Sequence, residues 1–266
     1  MNEQFVIKTL MEAKDCPHIP MRIFFQFSNH IKSLSSFFSK KEEKTIIDSL
    51  MNISQKLFHL YWIVRKFYEE LERVIKQMDN ELGKSTTTMQ YEDNSEQIFN
   101  IFSDFLLNWQ RVLKYVAVLF WTIIWQKHIQ TIKKMDTYLR STNNKDMIAM
   151  LDSDLLWAVR LNDLRNEIEH LENNVLSFMW YDIEYQNGMK PLLKLPRFNY
   201  KKEGEVQLSD YIEPNYINIF TFVEDVIAIW INEKIGNGPL RLLKTVDDKW
   251  QLNSVEAVYS LNMIGL

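Results

Sequence analysis

Cysteine is almost missing from this chain. Cys16 stands alone among 266 residues, which excludes an intramolecular disulfide and any cysteine-built metal cluster, and suits a reducing compartment. Glycine and proline are scarce too, at six each; a β-sandwich with frequent turns needs more, so long helices are expected. The first ten residues lack the cationic start, apolar run and small-residue cleavage site of a signal peptide. No apolar run reaches the ~20 residues of a spanning helix. The most hydrophobic window, Tyr115 to Trp125, is bracketed by Lys114 and Lys127. The expectation is a cytoplasmic protein with no membrane segment. Positive charge is not in excess either. A formal charge of −4 provides no global attraction to nucleic acid, so an RNA or DNA substrate would need a local basic cleft. Walker, GxGxxG, GxSxG and HExxH patterns are all lacking, and His18, His30, His59 and His128 show no metal-ligand spacing. Neither a cofactor nor a metal is expected.

What is present is apolar. With 46% hydrophobic and 13% aromatic residues, the chain can bury a sizeable core. Residues 1 to 40 are hard to place: Pro17 and Pro20 interrupt the opening, and Phe24 to Phe38 suggests a short amphipathic helix. From Thr45 apolar residues recur three and four apart, from Ile46 through Leu57, Phe67 and Val74 to Leu82, which predicts one long helix ending at Gly83. The polar stretch Lys84 to Asn94 reads as a loop. A second long helix is expected from a Ser95 cap toward Leu139, and a third from near Asp152 to about Tyr185.

After Gly188 the texture changes. Arg197 to Tyr200 and Glu205 to Leu208 flank Lys201-Lys202-Glu203-Gly204, the pattern of a β-hairpin. Tyr216 to Ile235 is again helical, with Gly236 as its stop, and Trp250 to Leu252 and Val255 to Leu261 suit short strands. The expected fold is mainly α: a bundle of long helices with a small β-hairpin appendage in the C-terminal third. It is read as a single domain over 1–266, with the hairpin inserted at about 191–212.

One short stretch carries chemistry, Arg165-Asn166-Glu167-Ile168-Glu169-His170. Trp157, Leu161, Leu164, Ile168, Leu171, Val175 and Phe178 form an apolar seam, while Asn162, Asn166, His170 and Asn174 repeat every four residues on another face. Asparagine is a weak helix former, and an ordinary solvated face would favour Glu, Lys and Gln. Arg165 and His170, five apart, diverge by roughly 140° on a straight helix. The nearest helical neighbour of Arg165 is Glu169, so a plain surface ion pair accounts for the arginine equally well.

The string resembles the signature of the HEPN superfamily, helical proteins whose active members carry Arg, a polar residue next, and His after four to six intervening residues. The match covers six residues and their setting on a late amphipathic helix. Glu172 stands where the subgroup paired with nucleotidyltransferase antitoxins carries tyrosine, which weighs against that pairing. The resemblance implies a metal-independent endoribonuclease, a toxin or antiviral defence effector acting on RNA, in which the 2′-hydroxyl attacks the adjacent phosphate to leave a 2′,3′-cyclic phosphate. By the same resemblance His170 moves protons, Arg165 holds the phosphate, Asn166 orients the imidazole or the phosphate, and a homodimer brings two motifs to one cleft. An antitoxin or regulatory protein is a further implied partner. Lys127, His128, Lys133 and Lys134 form a modest basic patch, read either as the lining of an RNA groove or as a solvated helix end. The competing expectation is a catalytically silent helical homodimer that binds a nucleotide or a protein.

Overall fold

The computed structural model describes residues 18–82, 95–120, 134, 137–138, 140–141, 145–170, 179–180, 183–184, 192–193, 197–200, 204–236, 239–245 and 258–263; for 18–19, 78–79, 81–82, 95–96, 145–147, 150–151, 153–156, 167–170, 179–180, 183–184, 192–193 and 198–200 it describes the backbone only. Among the described residues five long helices dominate: α1 (His18–Ser33), α2 (Lys40–Leu82), α3 (Ser95–Phe120), α4 (Lys145–His170) and α5 (Ser209–Ile235). The strands are short: β1 (Met179–Trp180), β2 (Ile183–Glu184), β3 (Leu192–Leu193), β4 (Arg197–Tyr200), β5 (Gly204–Gln207), β6 (Leu240–Lys244) and β7 (Tyr259–Met263). The mainly helical class and the hairpin in the C-terminal third are therefore observed, with β4 and β5 antiparallel and Phe198 opposite Val206.

The chain divides into two compact units. Residues 1–61, 108–158 and 217–266 make the first, and 62–107 with 159–216 make the second. The first has its core in Ile23, Phe27, Ile31, Leu50, Leu57, Val116, Phe120 and Trp230. Trp157 meets Trp109 and Phe222 edge-on there, at 5.4 and 5.9 Å between ring centres, a geometry that aligns the electron-poor ring edge with an electron-rich face. The second unit buries Phe67, Leu71, Phe102, Phe105, Leu161, Leu164, Leu208 and Ile212.

Local chemistry explains where the helices start. Ser39 and Glu42 form a reciprocal capping box ahead of α2: the Glu42 amide donates to Ser39 Oγ at 3.2 Å, and the Ser39 amide donates to Glu42 Oε2 at 2.8 Å. Two amides that the helix itself cannot pair are thus satisfied, and α2 begins before Thr45. The Ser39 hydrogen bonds hold the Glu42 carboxyl below its ordinary range. Pro20 does not interrupt α1 but sits in its first turn, where the missing N–H would have had no intrahelical partner.

Three expected boundaries are corrected. The third long helix runs from Lys145 to His170 and does not reach Tyr185. Met179 and Trp180 lie instead in β1, paired with Phe198 and Arg197 of β4. A short apolar run fits helix and strand periods alike, and aromatic content tips it toward a strand. The last long helix begins at Ser209 rather than Tyr216, so the hairpin ends at Gln207. Pro214 lies inside that helix, where it cannot donate to the Asp210 carbonyl and its ring crowds that oxygen. Strand β6 was not anticipated. It pairs with β7 from Leu240 opposite Met263 to Lys244 opposite Tyr259, so strand structure is present at the expected tail as far as Tyr259 to Leu261. The expected stretches 121–133 and 250–252 lie outside the described residues.

Glycine is required at two turns. Gly204, at φ +78°, closes the three-residue loop between β4 and β5, and Gly236, at φ +71°, ends α5; both sit in the left-handed region that a Cβ disfavours.

One ion pair is deeply buried in the first unit. Arg22 Nε and Nη2 donate to the two carboxylate oxygens of Glu224 at 3.0 and 2.8 Å, with the side chains 4% and 0% exposed. Removing one partner strands the other charge in the core. Glu224→Gln is expected to cost about 3–5 kcal/mol, and the joint replacement Arg22→Met with Glu224→Leu to recover most of it; urea unfolding of the three proteins checks both statements.

Candidate functional site

The motif residues lie on α4, within the second unit. Leu161 and Leu164 of the seam are fully buried, and Asn162, Arg165 and Asn166 are half-buried. The apolar seam and the polar face are thus distinct over the part of the helix where side chains are described. His170 is the last residue of α4. Its side chain, that of Glu169, and Asn174 lie outside the described residues, so neither the Arg165–Glu169 pairing nor the imidazole's surroundings enter the geometry.

Arg165 and Asn166 are joined directly. Arg165 Nη1 donates to Asn166 Oδ1 at 3.0 Å. Adjacent helix positions point about 100° apart, and only a side chain as long as arginine's can turn back across that angle. The bond fixes which way the amide faces: with Oδ1 turned to the guanidinium, the Asn166 NH₂ group is directed away from it.

A second arginine of α4 is held by an aromatic. Arg160 Nε donates to the Tyr211 hydroxyl at 3.1 Å, and its guanidinium lies over the same ring, 4.9 Å from the centre. Tyr211 is itself buried, and its carbonyl accepts from Asn215 Nδ2 at 2.5 Å. Nothing in the spacing of Arg160 distinguished it from a solvated cation, because Tyr211 is 51 residues away in sequence.

The start of α5 collects acids in the same unit. Burial pushes the Glu213 carboxyl up, and the neighbouring Asp210 charge adds to the effect. Asp210 is likewise raised by burial, with the Arg197 charge opposing. Arg197 of β4 forms an ion pair with Glu205 of β5. Beside them, burial and then the Glu213 charge push the Tyr68 phenol up, and its hydroxyl has no hydrogen-bond partner among the described residues. The acids at Asp210 and Glu213 are readable as a helix-start signature; the buried phenol next to them is not.

Of the basic patch, Lys134 is described and is exposed. Lys127, His128 and Lys133 lie outside the described residues. Among the described residues no group of three or more His, Cys, Asp or Glu side chains is placed to hold a metal ion, and no helix is long and apolar enough to cross a membrane. Comparison with family models, with curated proteins and with solved structures finds no match to this chain.

The acids give a pH prediction with a definite sign. Because the folded-state values of Asp210 and Glu213 are raised, the native state gains stability where these groups are protonated and loses it as pH rises through those values. Glu213→Gln is therefore expected to raise the melting temperature at pH 7 and to leave it unchanged below about pH 4, where unfolded and folded carboxyls are both protonated. Tyr68→Phe removes a buried hydroxyl that no described residue satisfies and is expected to stabilise by up to about 1 kcal/mol. Thermal melts at the two pH values check the first, and urea titration the second.

Proposed function

We propose that this chain is a metal-independent endoribonuclease of HEPN type, acting as a homodimer in toxin or antiviral defence. The reading rests on one observation above the others: Arg165 and Asn166 share a hydrogen bond on the helix that ends at His170. That arrangement supports a shared anion-binding role. The arginine is permanently charged and forked, and the Asn166 amide, its Oδ1 taken by the arginine, keeps an NH₂ group as a neutral donor.

In this mechanism the phosphate of RNA sits against Arg165 and Asn166. One His170 takes the proton from the ribose 2′-hydroxyl as the 2′-oxygen bonds to phosphorus. The bond from phosphorus to the 5′-oxygen breaks, and the leaving oxygen takes a proton from the other subunit's histidine. The products are a 2′,3′-cyclic phosphate and a 5′-hydroxyl. Negative charge grows on the phosphoryl oxygens in the transition state, which is where a guanidinium and an amide donor stabilise it most. Two histidines are needed because one cannot accept and donate in the same step, and the roughly 140° between Arg165 and His170 on one helix favours a cleft shared between two copies.

The test is cleavage of a mixed RNA pool by purified protein. Wild type is expected to cut in the presence of EDTA and to leave cyclic phosphate ends. Arg165→Ala and His170→Ala are each expected to lower the rate at least a hundredfold while circular dichroism and dimer mass stay unchanged. Asn166→Ala should fall between wild type and those variants. Cleavage that needs an added divalent ion, or full activity in Arg165→Ala, overturns the proposal, and light scattering that finds a monomer at high micromolar concentration removes the shared cleft. No cleavage by any protein would favour the silent binding homodimer instead.

A further inference from the structure

The hairpin β6–β7 is a sheet of two strands, so each strand has an edge with no neighbouring strand. Thr245 N–H donates to the Val258 carbonyl at 2.8 Å, which makes that facing pair hydrogen-bonded. Facing pairs alternate along an antiparallel ladder, so Lys244 opposite Tyr259, Leu242 opposite Leu261 and Leu240 opposite Met263 are non-hydrogen-bonded pairs, whose N–H and C=O groups point away from the hairpin. On the β6 edge Asn232 of α5 satisfies both at Leu242: the Leu242 amide donates to Oδ1 at 2.7 Å, and Nδ2 donates to the Leu242 carbonyl at 3.0 Å.

The β7 edge is covered at its start. Gln26 Oε1 of α1 accepts from the amides of Val258 and Tyr259, at 2.5 and 3.0 Å, and His30 Nε2 donates to the Tyr259 carbonyl at 2.9 Å. Two residues on, the cover stops. Among the described residues nothing bonds the outward N–H and C=O groups of Leu261 or Met263. Leu261 is half-buried and Met263 is 66% exposed. No charged side chain lies on Ser260-Leu261-Asn262-Met263, although lysine or proline is the usual protection of an edge left open.

We propose that this open edge of β7 pairs with the same edge of a second copy of the chain, joining the two hairpins into one continuous sheet. The edge is complementary to itself. With a two-fold axis at Asn262 the strands run antiparallel, Leu261 faces Met263 of the second copy, and Met263 faces its Leu261, the reciprocal contact that a two-fold interface requires. Both open rungs of each strand are used, and each facing pair exchanges both of its main-chain hydrogen bonds. An axis at Leu261 does less, because it sets Met263 against Tyr259, whose groups Gln26 and His30 already hold. The side chains agree with the first register. Leu261 and Met263 share the face that carries the buried Leu242 and Tyr259, so pairing sets apolar against apolar and covers the exposed methionine. On the other face Asn262 meets its own copy, an uncharged pair with no repulsion. The contact belongs to the first unit and does not rest on the chemistry of the motif helix.

A contact of 261–263 on each side is small, so the association is expected to be weak. Hydrogen exchange of the full chain tests it at the amides of Leu261 and Met263. In a monomer–dimer equilibrium their protection grows with the square root of concentration, so dilution from about 1 mM to about 10 µM is expected to lower it by up to about tenfold. Met263→Lys puts a charge on the edge, and Leu261→Pro removes an outward donor without touching the ladder to β6; each is expected to abolish the dilution effect. Exchange at Leu261 and Met263 that is independent of concentration overturns the pairing, whether the chain is then a monomer, a dimer through another face, or a partner of a different protein at this edge. A dilution effect that survives in Met263→Lys overturns it too. The wild-type dilution series needs no variant and decides the matter even where a substituted chain does not fold, and RNA cleavage, which judges the motif helix, is a separate readout.

Discussion

The first unit depends on burying the Arg22–Glu224 pair. Two opposite charges removed from water carry a desolvation cost that only close, paired geometry offsets, and here both carboxylate oxygens are bonded by one guanidinium. The pairing fixes the rotation of α1 against α5. Arg22, Gln26 and His30 follow each other at four-residue spacing and form a polar stripe; Ile23, Phe27 and Ile31 form a parallel apolar one. If α1 turned by one residue position, about 100°, the guanidinium would leave its carboxylate, and Gln26 and His30 would leave the edge of β7. One ion pair thus sets the register for the hydrogen bonds that hold the C-terminal hairpin.

That stripe explains what sequence patterning could and could not resolve. The helices were legible because three-and-four spacing of apolar residues marks a buried face, as in α2 from Ile46 to Val74. A polar residue at helical spacing carries the opposite meaning in the same reading. Arg22, Gln26 and Glu224 are all buried, and each owes its burial to a partner about 200 or more residues away. No local signal encodes such a partner. The start of α2 was missed: the apolar period alone puts it near Thr45, several residues late, and the Ser-x-x-Glu spacing of Ser39 and Glu42 is the signal that would have placed it. Strand β1 was hidden for the opposite reason: two residues are too short to show any period.

In the candidate site, the residue types and their order came from sequence, and the side-chain geometry adds the contact between Arg165 and Asn166. Spacing rules do not predict it, because neighbouring positions on a helix do not face one another. The long arginine crosses the gap, and its reach makes the pair a unit rather than two separate polar residues. Arg160 shows the same reach put to another use: its stem crosses to a buried tyrosine, and the guanidinium lies over the ring and donates to its hydroxyl. The two arginines on α4 are thus anchored by different chemistry, one by an amide and one by a phenol.

The segmented make-up of the two units bears on how the protein is made. Each unit is assembled from stretches far apart in the chain, three for the first and two for the second. During synthesis α1 leaves the ribosome long before α5 and β7, because Arg22 precedes Glu224 by 202 residues and Gln26 precedes Val258 by 232. At about 5–20 residues per second, that is a wait of roughly 10–45 s. For that interval the arginine and glutamine destined for the interior stay solvated, and Ile23, Phe27 and Ile31 beside them lack their final cover. Over that interval α1 carries an uncovered apolar stripe on the nascent chain, and β7, made last of the described strands, completes the hydrogen bonds at Gln26 and His30.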